Sequence, residues 1–406
     1  MDNITHSLVG LALGEVVERA LPPAPDTTPG RTRRRVLLAT GLLASNFPDL
    51  DLVLTPLLPA PLGYLIHHRG HTHTLLYALP QVALLLGLLF LLWPGARRLL
   101  RHDRTARRAV LGTALLGMVL HLSFDALNVY GVHPFHPFDS RWLYGDLVFI
   151  IEPVFWTAFG FALALLAHSR ALRWLMLVFF AAMPALFTWL GFLQWGSLAG
   201  LAAVASAVVL CHRRGGARAG LAMAVLACVG FVGVQALAGH LARGEIRAAL
   251  AQMAPASRVL DIPLSSFPAN PLCWSFATVT EDARAGTYGV RIGVLSLVPG
   301  LTPVSACPAR FGGEPGGRAH AIAWKFEQRG SLAAFRSLQQ SNCHFDAWLR
   351  FARVPALIGG NATDVRFGPP DQPNFSTLPY ARRASDPCPW PVAAWGYPRA
   401  DLLGWK

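Results

Sequence analysis

Apolar and polar positions divide the chain into two unlike parts. Residues 1–240 carry nearly all the long apolar runs, whereas 241–406 mixes polar residues with Pro, Gly and Trp. Four runs (74–93, 109–130, 172–193 and 219–240) each hold about 20 residues, enough to cross a ~30 Å hydrocarbon core as a helix. A fifth, 147–168, carries Glu152 near its start, and 197–211 is short but continuous. The stretches 4–20 and 36–47 are shorter and read as half-helices, interfacial helices or short spans. The pattern predicts a mainly α polytopic membrane bundle of about 6–8 apolar helices over 1–240. In 241–406, alternation at 274–280 and 287–297 around the polar stretch 281–286 predicts a β-hairpin. A helix is expected over 331–340 and strands over 345–354 and 364–367, making a small α+β domain.

Composition agrees with a membrane protein: 53% of residues are hydrophobic and 14% charged, against about 25% charged in soluble domains. A net charge of +13 can signal nucleic acid, but no nucleic-acid-binding motif is present, and the arginines cluster between apolar runs. Arg31, Arg33, Arg34 and Arg35 form one cluster, and Arg97, Arg98, Arg101, Arg104, Arg107 and Arg108 a second. Arg170 and Arg173 mark a third turn, and Arg213, Arg214 and Arg218 a fourth. With these turns cytoplasmic, sixteen of the eighteen basic residues in 1–240, counting Arg19, fall on one side; Arg69 and Arg141 fall on the other. Residues 241–406 then emerge as an extracytoplasmic domain. Cys273, Cys307, Cys343 and Cys388 suit disulfides there, with three pairings open, while Cys211 and Cys228 read as small buried apolar residues. The start, Met1-Asp2-Asn3-Ile4-Thr5-His6, lacks the positive region of a cleavable signal peptide, and Glu15, Glu18 and Arg19 interrupt the first apolar stretch.

The same topology gathers imidazoles and carboxylates at the external face. His67-His68-Arg69-Gly70-His71-Thr72-His73 holds four of the fourteen histidines. Upstream lies Asn46-Phe47-Pro48-Asp49-Leu50-Asp51, and downstream His121-Leu122-Ser123-Phe124-Asp125. His121 and Asp125, four residues apart, share a helical face, and ionisable groups in apolar surroundings are costly without partners or work to do. Such a set points to a transition-metal site. The candidate ligands are His6, Asp49, His71, His121 and Asp125. His71 suits both a helical pairing with His67 and an extended pairing with His73. Asp51, His73 and Glu152 are candidates for orienting ligands or moving protons. Arg69 cannot bind metal, and with His133 it is a candidate for substrate contact; His133 and His136 lie in a Pro-rich loop that equally suits a structural role or a second ion. Each residue also has a plain structural reading: a buried His–Asp hydrogen bond for His121 and Asp125, a turn closure for Asp49, a helix N-terminal charge for Glu152.

With these residues in view, the chain resembles the YdjM-type family of bacterial inner-membrane proteins, whose implied activity is metal-dependent hydrolysis. The resemblance rests on Met1-Asp2-Asn3-Ile4-Thr5-His6-Ser7, Pro48-Asp49-Leu50-Asp51, His68-Arg69-Gly70-His71-Thr72-His73, and His121 to Asp125 with Tyr130-Gly131. The tail is similar to members with an extra domain through Asn270-Pro271, Trp274, Phe351-Ala352-Arg353 and Asp364-Val365-Arg366-Phe367. The family is distantly similar to zinc-dependent phospholipase C enzymes. That similarity implies a zinc cluster held by His6, Asp49, His71, His121 and Asp125; the later His-x-x-x-Glu element of those enzymes is missing, which implies one or two ions. The expected function is thus a membrane-bound, zinc-type hydrolase acting on a phosphoester or lipid-linked substrate, with membrane lipids as partners and no nucleic acid. The first rival is a non-catalytic envelope protein with a structural metal site. The second is a cation transporter, which wants polar groups along a mid-membrane path; the helices beyond Glu152 offer almost none. No His-Glu-x-x-His is present, which disfavours a zincin-type protease.

Overall fold

The computed structural model describes residues 1–23, 30–308 and 321–405. The first half is helical: α1 (Asn3–Ala20), α2 (Gly30–Ala44), a 3₁₀ helix (Phe47–Leu57), α3 (Leu62–His67), a 3₁₀ turn (His71–His73), α4 (Leu75–Leu92), α5 (Pro94–His102), α6 (Arg104–Ala126), α7 (Pro153–Leu166), α8 (Arg170–Trp189) and α9 (Trp195–Met253). Among the described residues, five helical stretches are long and apolar enough to cross a membrane: Arg31–Leu57, Leu75–Leu92, Arg104–Ala126, Arg170–Trp189 and Trp195–Met253. This is fewer than the sequence pattern suggested, for physical reasons. α7 has only 14 residues, about 21 Å of helical rise, and α1 carries Glu15, Glu18 and Arg19. The runs 197–211 and 219–240 are two arms of α9, bent at Gly216 (φ 72°, ψ −166°). α9 continues past residue 240 to Met253, and the first strand starts at Arg258.

Close packing sets the site-bearing elements. A Cβ at Gly10 would stand 2.3 Å from the carbonyl oxygen of Gly41, and one at Gly117 would stand 2.7 Å from Cβ of Ala44. Small residues at these crossings let α1 and α6 press against α2 and its C-terminal end, as in helix pairs surrounded by lipid. At one end of the bundle the acids of α1 are paired with arginines. Arg33 forks onto Glu18 at 2.8 and 2.9 Å, Arg19 and Arg34 both reach Glu15, and Arg218 donates to the Arg19 carbonyl at 2.5 Å. His6, thirteen residues before Arg19 on α1, lies about 20 Å from that end.

The tail holds an antiparallel sheet of β1 (Arg258–Asp261), β2 (Leu264–Phe267), β3 (Asn270–Asp282), β4 (Thr287–Ser296) and β5 (Ile322–Ser331), ordered β1-β3-β4-β5 with β2 also on β3. The expected hairpin is β3–β4, in register from Asp282 opposite Thr287 to Cys273 opposite Ser296. The expected helix is α10 (Leu332–Ser341). The stretch 345–354 is not a strand: α11 (Cys343–Leu349) occupies its start, because Asn342 Oδ1 accepts from the amides of His344 and Phe345 (3.1 and 3.0 Å) and Phe345, Trp348 and Leu349 bury one face at helical spacing. Likewise 364–367 is the end of a strand and a turn. β6 (Pro355–Ile358) pairs with β7 (Asn361–Asp364), after which the Asp364 side chain accepts from Arg366 N and coils the chain into a 3₁₀ turn. The disulfides are Cys273–Cys307 and Cys343–Cys388, with Cys211 and Cys228 free. A last short helix, α12 (Ala400–Leu403), packs near α10.

Tail and bundle share a core, in which Leu62, Leu65 and Ile66 of α3 pack in one cluster with Trp348, Phe351 and Trp395. Arg353 forks onto Asp146 (2.8 and 3.0 Å) and onto Asp261 (2.8 and 3.1 Å), while Arg366 donates to the Val129 carbonyl at 2.8 Å. The tail is thereby fixed to the histidine end of the bundle.

Candidate metal centre

Three backbone devices aim the site. Pro48 opens the 3₁₀ helix that turns Asp49 and Asp51 inward, where both are buried. Thr74 caps α4 by accepting from Tyr77 N at 3.2 Å, so 71–73 becomes the turn before that helix. α6 presents His121 and Asp125 on one face, both fully buried.

The ring nitrogens are oriented by their outer partners. His121 Nδ1 lies 2.7 Å from the Ser45 carbonyl, which only accepts, so Nδ1 carries the proton and Nε2 a lone pair. His73 Nδ1 faces Asp51 at 3.2 Å, which fixes its ring in the same sense. Asp51 also accepts from His68 Nδ1 (3.0 Å), Arg69 N (3.0 Å) and Thr72 Oγ (2.6 Å), clamping the whole histidine loop. Arg69 is held with φ 60°, and its guanidinium binds Oδ1 of Asp125 at 2.9 Å while lying 4.5 Å from the Tyr130 ring centre. Asp125 Oδ2 is left buried without a hydrogen-bond partner.

Four atoms then converge: Nε2 of His73 and His121, Oδ1 of Asp49 and Oδ2 of Asp125. His73 Nε2 is 3.0 Å from His121 Nε2, 3.4 Å from Asp49 and 3.3 Å from Asp125. His121 Nε2 is 3.6 Å from Asp49 and 3.5 Å from Asp125. A tetrahedron of N and O ligands about 2.05 Å from a zinc-like ion has edges of about 3.3 Å, so these spacings fit one ion. Burial works against a charge on His73, yet the surrounding carboxylates of Asp125, Asp49 and Asp51 outweigh it and raise the imidazole to about 10. The carboxylates thus stabilise positive charge at this point. Asp49, Asp51 and His68 make a second grouping that could hold an ion, sharing Asp49 with the first.

The predicted residues are placed as follows. Asp49, His121 and Asp125 meet at the centre, and His73, expected to orient or shuttle protons, joins them there. His6 stands one layer out, stacked on His121 (ring centres 4.0 Å apart) and 3.3 Å from the outer oxygen of Asp125. His71 is not brought to the centre; it is exposed and packs against Tyr77, His136 and Trp395 at 5.4–5.7 Å. On a three-residue turn, positions two apart point about 120° apart, so His71 and His73 cannot both face inward. Glu152 is buried at the start of α7, accepting from Val154 N (3.2 Å) and Ala269 N (3.0 Å). Arg69 is buried, with its guanidinium on protein acceptors. His133 is sandwiched by Trp142 (4.5 Å) and Trp395 (4.6 Å). His68, outside the expected ligand set, is the first partner of Asp51; its only sequence signal was its place in the histidine run.

Residues 1–196, which include every residue of the cluster, match the family described as YdjM inner membrane protein. The chain is also 33% identical over 153 residues to the uncharacterized protein YfhP of Bacillus subtilis (strain 168), a match covering 38% of this chain and 42% of that protein. The chain thus spans less than half the length of the curated relative it matches. No solved structure matches it.

Proposed function

We propose that the cluster binds a zinc-class divalent ion and that the protein is a metal-dependent hydrolase of the bacterial inner membrane, acting at the external face on a phosphoester or lipid-linked substrate. The observation that carries this reading is the near-tetrahedral spacing of four inward-facing ligand atoms, one of them the orphaned Oδ2 of Asp125. His73, His121, Asp49 and Asp125 would hold the ion; when bound, it supplies Lewis acidity and activates water near neutral pH. Asp51 holds the His73 ring and Arg69 holds Asp125, so both ligands keep their aim without rearrangement. Asp49 is the ligand whose side chain reaches the surface, at 7% exposure, and it marks the side from which substrate would enter. The 3₁₀ helix that turns Asp49 inward points Leu50, Leu52, Val53 and Leu57 outward and exposed, which favours an amphiphilic substrate arriving from lipid. The external placement is supported by the arginine end opposite the cluster and by the two disulfides of the tail.

One observation favours a second reading, a structural ion in a non-catalytic protein. Structural sites are closed by four protein ligands, whereas catalytic sites keep one position open, and here four side chains converge in a buried centre. Elemental analysis of the purified protein against His73→Ala and Asp125→Ala, with turnover of a panel of phospholipids and lipid-linked phosphates, tests both. The hydrolase reading expects stoichiometric metal and turnover in wild type, and loss of the inner ion and of turnover in the variants. Metal without turnover would favour the structural ion, and wild type without metal would overturn both.

A further inference from the structure

We infer that His71, His133 and His136 form a second, outer site for a borderline transition-metal ion (zinc, copper(II) or nickel(II)), walled by Trp395 of the tail domain. The His136 ring neighbours both others, its centre 5.4 Å from that of His71 and 5.7 Å from that of His133. Two imidazoles sharing one ion with metal–nitrogen bonds of about 2.05 Å place their ring centres roughly 5 Å apart, so small ring movements suffice. An independent observation points to a ligand. His133 is fully buried, yet neither ring nitrogen has a hydrogen-bond partner among the described residues, a costly arrangement for an imidazole with nothing to bind. His136 is prepared in the usual manner of a ligand: Nδ1 meets Ser140 Oγ at 2.9 Å, which fixes the ring and leaves Nε2 for the ion.

Access and chemistry agree. His71 is exposed while His133 and His136 are buried, giving one open side. The inner centre mixes two carboxylates with two imidazoles, whereas this group offers imidazole alone, the donor set that suits zinc, copper and nickel over magnesium or calcium. His71 and His73 leave one 3₁₀ turn about 120° apart, so the outer group shares no ligand with the inner cluster and does not require that cluster to bind metal. Trp395 touches all three rings at 4.6–5.9 Å, so the tail closes the group against the bundle.

The test titrates the full-length protein in detergent with copper(II), reading nitrogen hyperfine splitting by electron paramagnetic resonance, in wild type, His136→Ala, His133→Asn and Asp125→Asn. The expected result is a multi-imidazole signal at about one equivalent in wild type and Asp125→Asn, weakened at least tenfold in affinity in His136→Ala and His133→Asn. Zinc stoichiometry by elemental analysis gives a second readout that needs no Asp125 variant: His136→Ala should hold one ion fewer than wild type. A copper signal unchanged by both histidine substitutions, no multi-imidazole signal in wild type, or a zinc count equal in His136→Ala and wild type would overturn the outer site.

Discussion

The two ends of the helical bundle both carry ionisable groups in an apolar setting, and they resolve the cost differently. At the arginine end the acids of α1 meet their complements: Arg33 forks onto Glu18, and Arg19 and Arg34 share Glu15. At the histidine end the outer atoms are satisfied by Ser45, Asp51, Thr72 and Arg69, while the inner atoms face one another across 3.0–3.6 Å. A density of charge therefore does not identify a site. What separates the ends is the convergence of two imidazole nitrogens and two carboxylate oxygens on one point.

The largest effect should come from Asp125→Ala. It removes a ligand of the centre and also leaves the buried Arg69 guanidinium without its carboxylate. Breaking a buried pair from one side costs about 3–5 kcal/mol, so the variant should bind no metal at the inner centre and melt well below wild type in a detergent thermal shift. Full stability with metal retained would show that the histidine end is self-satisfied after all, like the arginine end. Asp51→Asn comes next, because it keeps the side chain's shape and acts on the centre through His73 Nδ1 and the histidine loop it clamps. Loss of such an outer carboxylate lowers metal affinity about 10- to 100-fold. Competition with a chelator of known affinity measures this, and an unchanged affinity would remove Asp51 from the role of orienting His73.

How far this contrast could be read from the residues alone depends on the kind of geometry involved. His121 and Asp125 were legible because helical periodicity alone places them on one face, and the β3–β4 hairpin because alternation flanks a polar turn. The choice between His71 and His73 was not. It rests on a 3₁₀ turn ended by the Thr74 cap, on the positive φ of Arg69 and on a carboxylate twenty-two residues upstream (Asp51 to His73). The pairing of His121 with the Ser45 carbonyl spans 76 positions and leaves no trace in local pattern. In the tail, 345–354 looked extended because its aromatic and aliphatic residues suit either element; the Asn342 cap decides for a helix. Long-range register and caps, more than hydrophobicity, are what the sequence left open.

The smallest effect should come from the arginine end, and it sharpens the contrast most cleanly. Glu18→Gln keeps the shape of the side chain and removes one charge from a pair with Arg33 whose side chains are 4% and 16% exposed for Arg33 and Glu18. Arg33 still donates to the Pro22 carbonyl at 3.0 Å, so the guanidinium is not stranded as Arg69 would be. A part-exposed pair of this kind contributes about 1 kcal/mol, so the melting temperature should fall slightly. Metal content should stay at the wild-type value, because the substitution lies about 20 Å along α1 from His6. If Glu18→Gln instead released metal, the two ends would be coupled through α1 and α2, and the close Gly10–Gly41 contact would be the place to look for that coupling.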